Sequence, residues 1–322
     1  MKLSIGIDVS KDKLDISIYD GKKHKHYICK NSISGIEKFI KEMKLNKNSN
    51  IIFIMEATGV YSLKVAQYLY KKKYPVSVVN PLIIKKYSEL QMLRSKTDKI
   101  DSKMIAEYGY KYKHALYVPK PDDLEHIIQC LRAIDAIQRD KTQCNNRLKA
   151  LQHNPQANEK LLEVYGKQLE TFNKNIKVLE IEIENKINQS YSDLNDLIQS
   201  VPSIGKRVSS AMIGTFNQFE FFENAKQVSS YLGLNPSEHS SGSSIQKQAI
   251  ISRQGNGYIR KLFFMASLTA IRKNKQCKEL YERLLARGKS KKLALIAVAN
   301  KLIRQIYAIV KSKRRYEENY SF

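Results

Sequence analysis

Leu3, Ile5 and Ile7 recur at every second position of the run from Lys2 to Val9, the alternation of a strand with one face in a core. Lys13 to Tyr19 and Lys25 to Lys30 read as two further strands, linked by the turn signal Asp20-Gly21, so an antiparallel meander is predicted. A helix follows over roughly Ser34 to Met43. Ile51 to Met55 is a continuous apolar run, the kind found in a strand buried on both faces. A helix from about Ser62 to Lys72, a strand from Pro75 to Val79 and helices from about Leu82 and Asp98 complete a three-layer α/β order.

Beyond Asp122 the period changes. Leu162, Tyr165, Leu169, Phe172, Ile176, Leu179 and Ile183 alternate spacings of three and four, a sustained heptad seam. A shorter seam, Leu124, Ile127, Leu131 and Ile134, precedes it, and His153-Asn-Pro-Gln-Ala-Asn158 breaks the two apart. The pattern is that of a helical hairpin, and heptads leave an intramolecular pair and a dimer interface equally open. A third region, mostly helical, begins around Ser192 and ends in a periodic helix from Lys291 to Val310. The resulting domain limits are 1–118, 119–190 and 191–322.

Acidic residues stand at the ends of the apolar runs. Asp8 closes the first strand, Glu56 follows the fourth, and Asp98 and Asp101 share one face of a helix's first turn. Taken singly, Asp8 is a strand cap, Glu56 a surface acid, and Asp98 with Asp101 helix N-terminal charges favoured by the dipole. Together they form a candidate metal tetrad, because four neighbouring carboxylates repel one another unless a divalent cation neutralises them. Oxygen donors of this kind select Mg2+ or Mn2+. The strand order and the placement of the acids make the ribonuclease H-like pattern the expectation for the first domain.

The charge balance narrows the partners. Lys and Arg total 56 against 31 Asp and Glu in 322 residues, a net charge of +25, which implies a polyanionic partner. Local clusters lie at Lys71 to Lys73, Lys85 and Lys86, Lys289 to Lys292, and Lys311 to Arg315; any one of them would also serve as a solvated face. A membrane is the competing use of such charge, but no apolar run approaches the ~20 residues needed to span. The strand-like start also lacks the features of a secretory signal, so the cytoplasm is expected. Cys29, Cys130, Cys144 and Cys277 are widely spaced, which argues against zinc and disulfides.

A second group of motifs follows the hairpin. Val201-Pro-Ser-Ile-Gly-Lys-Arg-Val-Ser-Ser-Ala211 has the form of a helix-hairpin-helix turn, in which Gly205, Lys206 and Arg207 would meet a DNA phosphate; the alternative is a plain helix connection. Ser237 to Ser244 reads as a hydroxyl-rich loop with His239 as a candidate base for a serine nucleophile. In Ile250-Ile-Ser-Arg-Gln-Gly-Asn256-Gly-Tyr-Ile-Arg260, Gly255 and Asn256 suit a turn and helix cap. Arg253, Arg260 and Lys261 are phosphate clamps or surface charges.

In order, Gly6-Ile-Asp-Val-Ser10, Met55-Glu-Ala-Thr-Gly59, Lys96-Thr-Asp-Lys-Ile-Asp101, Tyr231-Leu-Gly-Leu-Asn-Pro236, Ser241-Gly242 and Gly255-Asn256 resemble the motifs of the IS110-family transposases, over nearly the whole chain. The resemblance implies a RuvC-like N-terminal domain with an acidic tetrad, here Asp8, Glu56, Asp98 and Asp101. It also implies a C-terminal transposase domain whose catalytic serine falls on Ser241, with Ser240 the adjacent alternative. Ser102 departs from the family's usual Ala after the final Asp. The activity implied is cutting and rejoining of DNA through a covalent phosphoserine link, with Mg2+ on the tetrad. Donor and target DNA and a structured noncoding guide RNA are the implied partners. The resemblance further implies a homo-oligomer, dimer or tetramer, in which a serine from one subunit completes the tetrad site of another. The rival readings are a RuvC-like nuclease or junction resolvase that uses water, and a nucleic-acid-binding protein without chemistry.

Overall fold

The computed structural model describes residues 2–46, 50–92, 97–241, 245–251 and 255–318, with the backbone alone described for 236–241 and 245–250. It divides into two compact units, Met1–Lys120 and Pro121–Phe322.

In the first unit β1 (Leu3–Val9), β2 (Lys13–Tyr19) and β3 (His24–Lys30) form the expected antiparallel meander. After α1 (Ile33–Glu42), β4 (Ile51–Glu56) pairs parallel to β1; after α2 (Val60–Lys71), β5 (Val76–Val79) pairs parallel to β4. The sheet order is β3-β2-β1-β4-β5. α3 (Pro81–Leu90) and α4 (Asp98–Lys111) follow.

Because side chains alternate across a strand, each face of this sheet has its own partner. Ile5, Ile7, Leu14, Ile16, Phe53 and Met55 point to one side and are buried with Ile36 and Phe39 of α1 and Val65 and Leu69 of α2. Ile54, on the other side, packs with Ile84 of α3 and Ile105 of α4. β4 is thus covered on both faces, as its unbroken apolar run requires.

Small residues bring α4 onto the sheet. A Cβ on Gly6 would collide with the backbone N of Ala106 and the backbone O of Ser102. A Cβ on Gly109 would meet Ser4 Oγ and the Ile54 side chain. One glycine on the strand and one on the helix let the two backbones approach more closely than side chains permit. This contact sets where the first turn of α4 lies.

In the second unit, α5 (Asp122–Gln152) and α6 (Glu159–Ser190) pack against each other and run antiparallel. Lys186 near the end of α6 reaches Asp123 at the start of α5 (3.2 Å), while Cys144 faces Gln168 (3.5 Å). Along the heptad stripe Ile176 and Ile183 are buried and the other five positions half-buried.

The remaining elements are α7 (Ser192–Gln199), α8 (Lys206–Phe216), α9 (Ala225–Tyr231), β6 (Pro236–Ser241), β7 (Ile245–Ile251), α10 (Gly257–Lys273), α11 (Lys275–Ala286) and α12 (Lys291–Ser312). Val298, Leu302, Ile303 and Ile306 of α12 share one core with Leu131 and Ile134 of α5 and Ile187 of α6. Among the described residues α12 alone is long and apolar enough to cross a membrane, by length and composition. Its apolar side lies in this core.

The segment read as a loop, Ser237 to Ser244, departs from expectation over Ser237 to Ser241; 242–244 lie outside the described residues. β6 and β7 form a two-stranded antiparallel sheet that pairs Pro236 with Ile251 and Ser241 with Ile245, with a register irregularity between Ser237 and His239. A serine-rich strand has little β-propensity of its own; pairing with a partner rich in Ile supplies what local sequence lacks.

Gly6→Ala should lose roughly 2 kcal/mol of stability, the scale of overpacking a filled interior, seen as a melting temperature lowered by several degrees. An unchanged melting curve would mean that α4 can withdraw from β1 at no cost.

Candidate active site and nucleic-acid contacts

β1 and β4 run parallel, with Ile7 opposite Met55 as their last registered pair. Asp8 and Glu56, one residue further on, therefore stand side by side at the C-terminal ends of adjacent strands. Asp8 is half-buried and turned to the α4 side, the same side as Gly6. Thr97 caps α4 by accepting a hydrogen bond from the Ile100 amide (3.2 Å) and holds Asp98 and Asp101 in its first turn. Burial pushes the Asp8 carboxyl up from 3.8 to about 6, and the charges of Asp101, Asp98, Glu56 and Asp15 push the same way. The four sequence-predicted acids thus lie near enough to act on one another.

Asp15 is the residue that sequence reading missed. It lies directly across the strand pair from Asp8, is only 4% exposed, and receives Lys13 Nζ at 3.0 Å and His26 Nε2 at 3.1 Å. Lys13 also reaches Asp98 Oδ2 at 2.6 Å. Hydrogen bonds to Asp98 and then to Asp15 hold the Lys13 ammonium in its charged form well above the usual lysine range. The signal was present in the parity of β2, where Leu14 and Ile16 point into the core and Asp15 must face the side of Asp8.

Ser102, which follows the last acid, is buried and donates to the Lys99 carbonyl (3.0 Å). It belongs to the helix contact with Gly6.

All four donors of the proposed tetrad are carboxylates, the hard oxygen ligands of Mg2+ and Mn2+, and the elevated Asp8 pKa marks a surplus of negative charge that a divalent ion would relieve. Among the described residues no group of three or more Asp, Glu, His or Cys side chains is gathered tightly enough to hold a metal ion. The residues fit the ion by the chemistry of their donors.

In the second unit the basic candidates are engaged by acids. Lys206 Nζ meets Glu184 at 2.6 Å, Arg207 meets Glu180 at 2.5 Å, and Lys261 meets Asp135 at 2.9 Å. Gly205 is the extended N-cap residue of α8. Exposed pairs of this sort are worth about 0–1 kcal/mol, so a phosphate can exchange with the carboxylate at small cost.

Asn256 caps α10, accepting from the Ile259 amide (3.2 Å), and Arg260 donates to the Leu232 carbonyl (3.0 Å). Gly255 adopts φ +90°, and a Cβ there would strike the backbone from Tyr231 to Gly233. That close approach joins the Tyr231–Pro236 and Gly255–Asn256 motifs at the base of the β6–β7 hairpin. Ser241 ends β6; its side chain and those of Ser240 and His239 lie outside the described residues, as do Lys96, Gly242 and Arg253 altogether.

An acidic strand-end cluster in one unit and a helical unit of basic motifs define a protein that acts on DNA. Comparison with known proteins makes this specific. A transposase model of the IS110 DEDD type matches residues 5–153, and a second, the transposase IS116/IS110/IS902 family, matches residues 195–282. The chain is 28% identical to the pilin gene-inverting protein of Moraxella lacunata, over 98% of this chain and 98% of that protein. It is 28% identical to an uncharacterized 43.6 kDa protein of insertion element IS110 from Streptomyces coelicolor, over 38% of this chain and 30% of that one. It is 29% identical to the transposase of insertion sequence element IS1111A from Coxiella burnetii, over 37% of this chain and 33% of that one. The chain is an enzyme of the DNA transposase and recombinase class. It belongs to the IS110 family of transposases.

The Asp8 shift has a stability consequence with a definite sign. Its folded-state pKa lies above the ordinary 3.8, so its stabilising contribution is complete below that pH and is lost as pH rises through about 6. Asp8→Asn carries no charge at any pH and should gain stability relative to the parent between about pH 4 and pH 7. Melting temperatures of both proteins across that range measure the difference; a constant difference would disprove the crowding.

Proposed function

We propose that this enzyme cuts and rejoins DNA through a covalent phosphoserine intermediate on Ser241, with Mg2+ or Mn2+ held by Asp8, Glu56, Asp98 and Asp101, guided by a structured noncoding RNA. The observation that carries the reading is the crowding of acids around Asp8 in a chain of net charge +25. Carboxylates are expensive to crowd, and a polyanion brings more negative charge to them, so their natural purpose is to hold a cation against a phosphate. The DEDD designation of the matched family model agrees with those four positions.

In the first step Ser241 Oγ attacks the scissile phosphorus. The bond from phosphorus to one strand oxygen breaks, and the serine proton passes to a base, for which His239 is the candidate. The departing oxygen takes up a proton, and the phosphodiester energy is kept in the serine ester. Attack by the hydroxyl of an exchanged strand then releases Ser241 and seals the new junction. When bound, the divalent ion neutralises charge on the phosphate and the departing oxygen.

The first unit is read as a RuvC-like domain spanning about 1–118, on the strength of its meander, its parallel additions and acids at the ends of β1 and β4. α5 and α6 are read as a coiled-coil hairpin over 119–190, and 191–322 as the transposase domain. Leu161, Val164, Val178 and Ile181 are 46–56% exposed on α6 and suit contact with another copy, in a dimer or tetramer that brings Ser241 of one subunit to the tetrad of another. The surplus charge serves backbone contact with donor and target DNA and with the guide RNA, and the reaction takes place in the cytoplasm.

The test is incubation of the protein, the RNA of its flanking element and labelled DNA with Mg2+, followed by a denaturing gel. A protein-linked DNA band is expected, absent with Ser241→Ala, which should still bind nucleic acid. Asp101→Asn should abolish cleavage with little change in melting temperature. Cleavage without a linked band would favour a water-using nuclease, and cleavage by Asp101→Asn would remove the metal assignment.

A further inference from the structure

α11 and α12 face each other across a groove of about 910 Å³ in the second unit. Four cations line it: Arg283 from α11, and Lys292, Lys301 and Arg304 from α12. Glu279 is the single acid among the described lining residues. No ion pair holds any of the four cations among the described residues, unlike Lys206, Arg207 and Lys261. Leu280, Leu293 and Ile296 add apolar surface to its lining.

The groove begins at the root of the β6–β7 hairpin. Leu234 and Ile251 are among its lining residues, and Ile251 is the residue paired with Pro236 at the start of β6. Arg304 is tied to the same root: its Nε donates to Asn300 Oδ1 (3.1 Å), and Asn300 Nδ2 donates to Asn235 Oδ1 (3.2 Å). Asn235 directly precedes β6. From that root to Ser241 is roughly 17 Å at the rise of an extended strand.

The geometry points to this groove as a binding site for an unpaired DNA strand adjoining the cleavage position. Four cations that form no ion pair among the described residues, on an open surface, call for a polyanion. A duplex turns its phosphates outward and hides its bases, so it has no use for apolar lining; an unpaired strand lays sugars and bases against such side chains while its phosphates meet the cations. The choice of DNA rests on the reading of Ser241 given above, since the strand that lies at the foot of the hairpin is the one its nucleophile would address.

Fluorescence anisotropy with a short labelled single-stranded DNA, titrated at several salt concentrations, tests this on the full-length protein. Lys301→Gln with Arg304→Gln should weaken binding on the order of tenfold and reduce the salt slope by about 1.4, the share of two phosphate contacts on a single strand. Arg283→Gln with Lys292→Gln, at exposed positions free of the Asn235 link, should behave alike, which separates lost contact from altered folding. Ser241→Ala should bind as the parent does, so loss of the phosphoserine reading would leave this result standing. Unchanged affinity and slope in both double variants would overturn the site. A larger loss for RNA of the same sequence would overturn it in favour of RNA, and an equal loss for duplex DNA would overturn the unpaired strand.

Discussion

The first unit depends on a contact that two residues without side chains, Gly6 and Gly109, make possible. α4 lies against β1 with Gly6 beneath the Ala106 amide and Gly109 above Ser4 and Ile54. The helix could not begin where it does if either position carried a Cβ. Because it begins there, Asp98 and Asp101 arrive beside the ends of β1 and β4, where Asp8 and Glu56 already stand. Packing and chemistry are therefore one constraint: the two glycines in the core decide where four carboxylates meet.

That meeting is energetically unfavourable on its own terms. Burial and neighbouring charges both push the Asp8 carboxyl towards its protonated form. Lys13, spanning Asp15 and Asp98, returns part of the missing positive charge, and the His26 ring meets Asp15 at 3.1 Å. Carboxylates perturbed in this way cluster at functional sites. The second unit shows the complementary arrangement: α5 and α6 lend carboxylates to Lys206, Arg207 and Lys261, while among the described residues no acid pairs with the cations between α11 and α12.

The strands and helices of the first unit were legible because hydrophobic period reports them directly, and the positions of the four acids were legible because Asp8 and Glu56 end such runs while Asp98 and Asp101 open a helix. Asp15 escaped notice for a physical reason. A lone acid in Lys-Leu-Asp-Ile looks like the solvent face of a strand, and only the pairing of Asp8 with Asp15 turns that face towards α4. The β6–β7 hairpin escaped for another, since Ser237 to Ser241 has no strand pattern until Ile245 to Ile251 lies beside it. Lys206, Arg207 and Lys261 read as open phosphate contacts, yet the acids that engage them are 22, 27 and 126 residues away in the chain.

By itself the sequence determined the element types, the placement of Asp8, Glu56, Asp98 and Asp101 at element ends, and the family to which the chain belongs. These are local or ordered properties, carried by period, capping and motif. Tertiary structure decided which charges neighbour which: Lys13 between Asp15 and Asp98, the engaged cations of α8 and α10, and the cations gathered along the groove of α11 and α12. Electrostatic environment depends on distances through space, and those follow from how closely helices and strands can pack, a quantity that no single stretch of sequence contains.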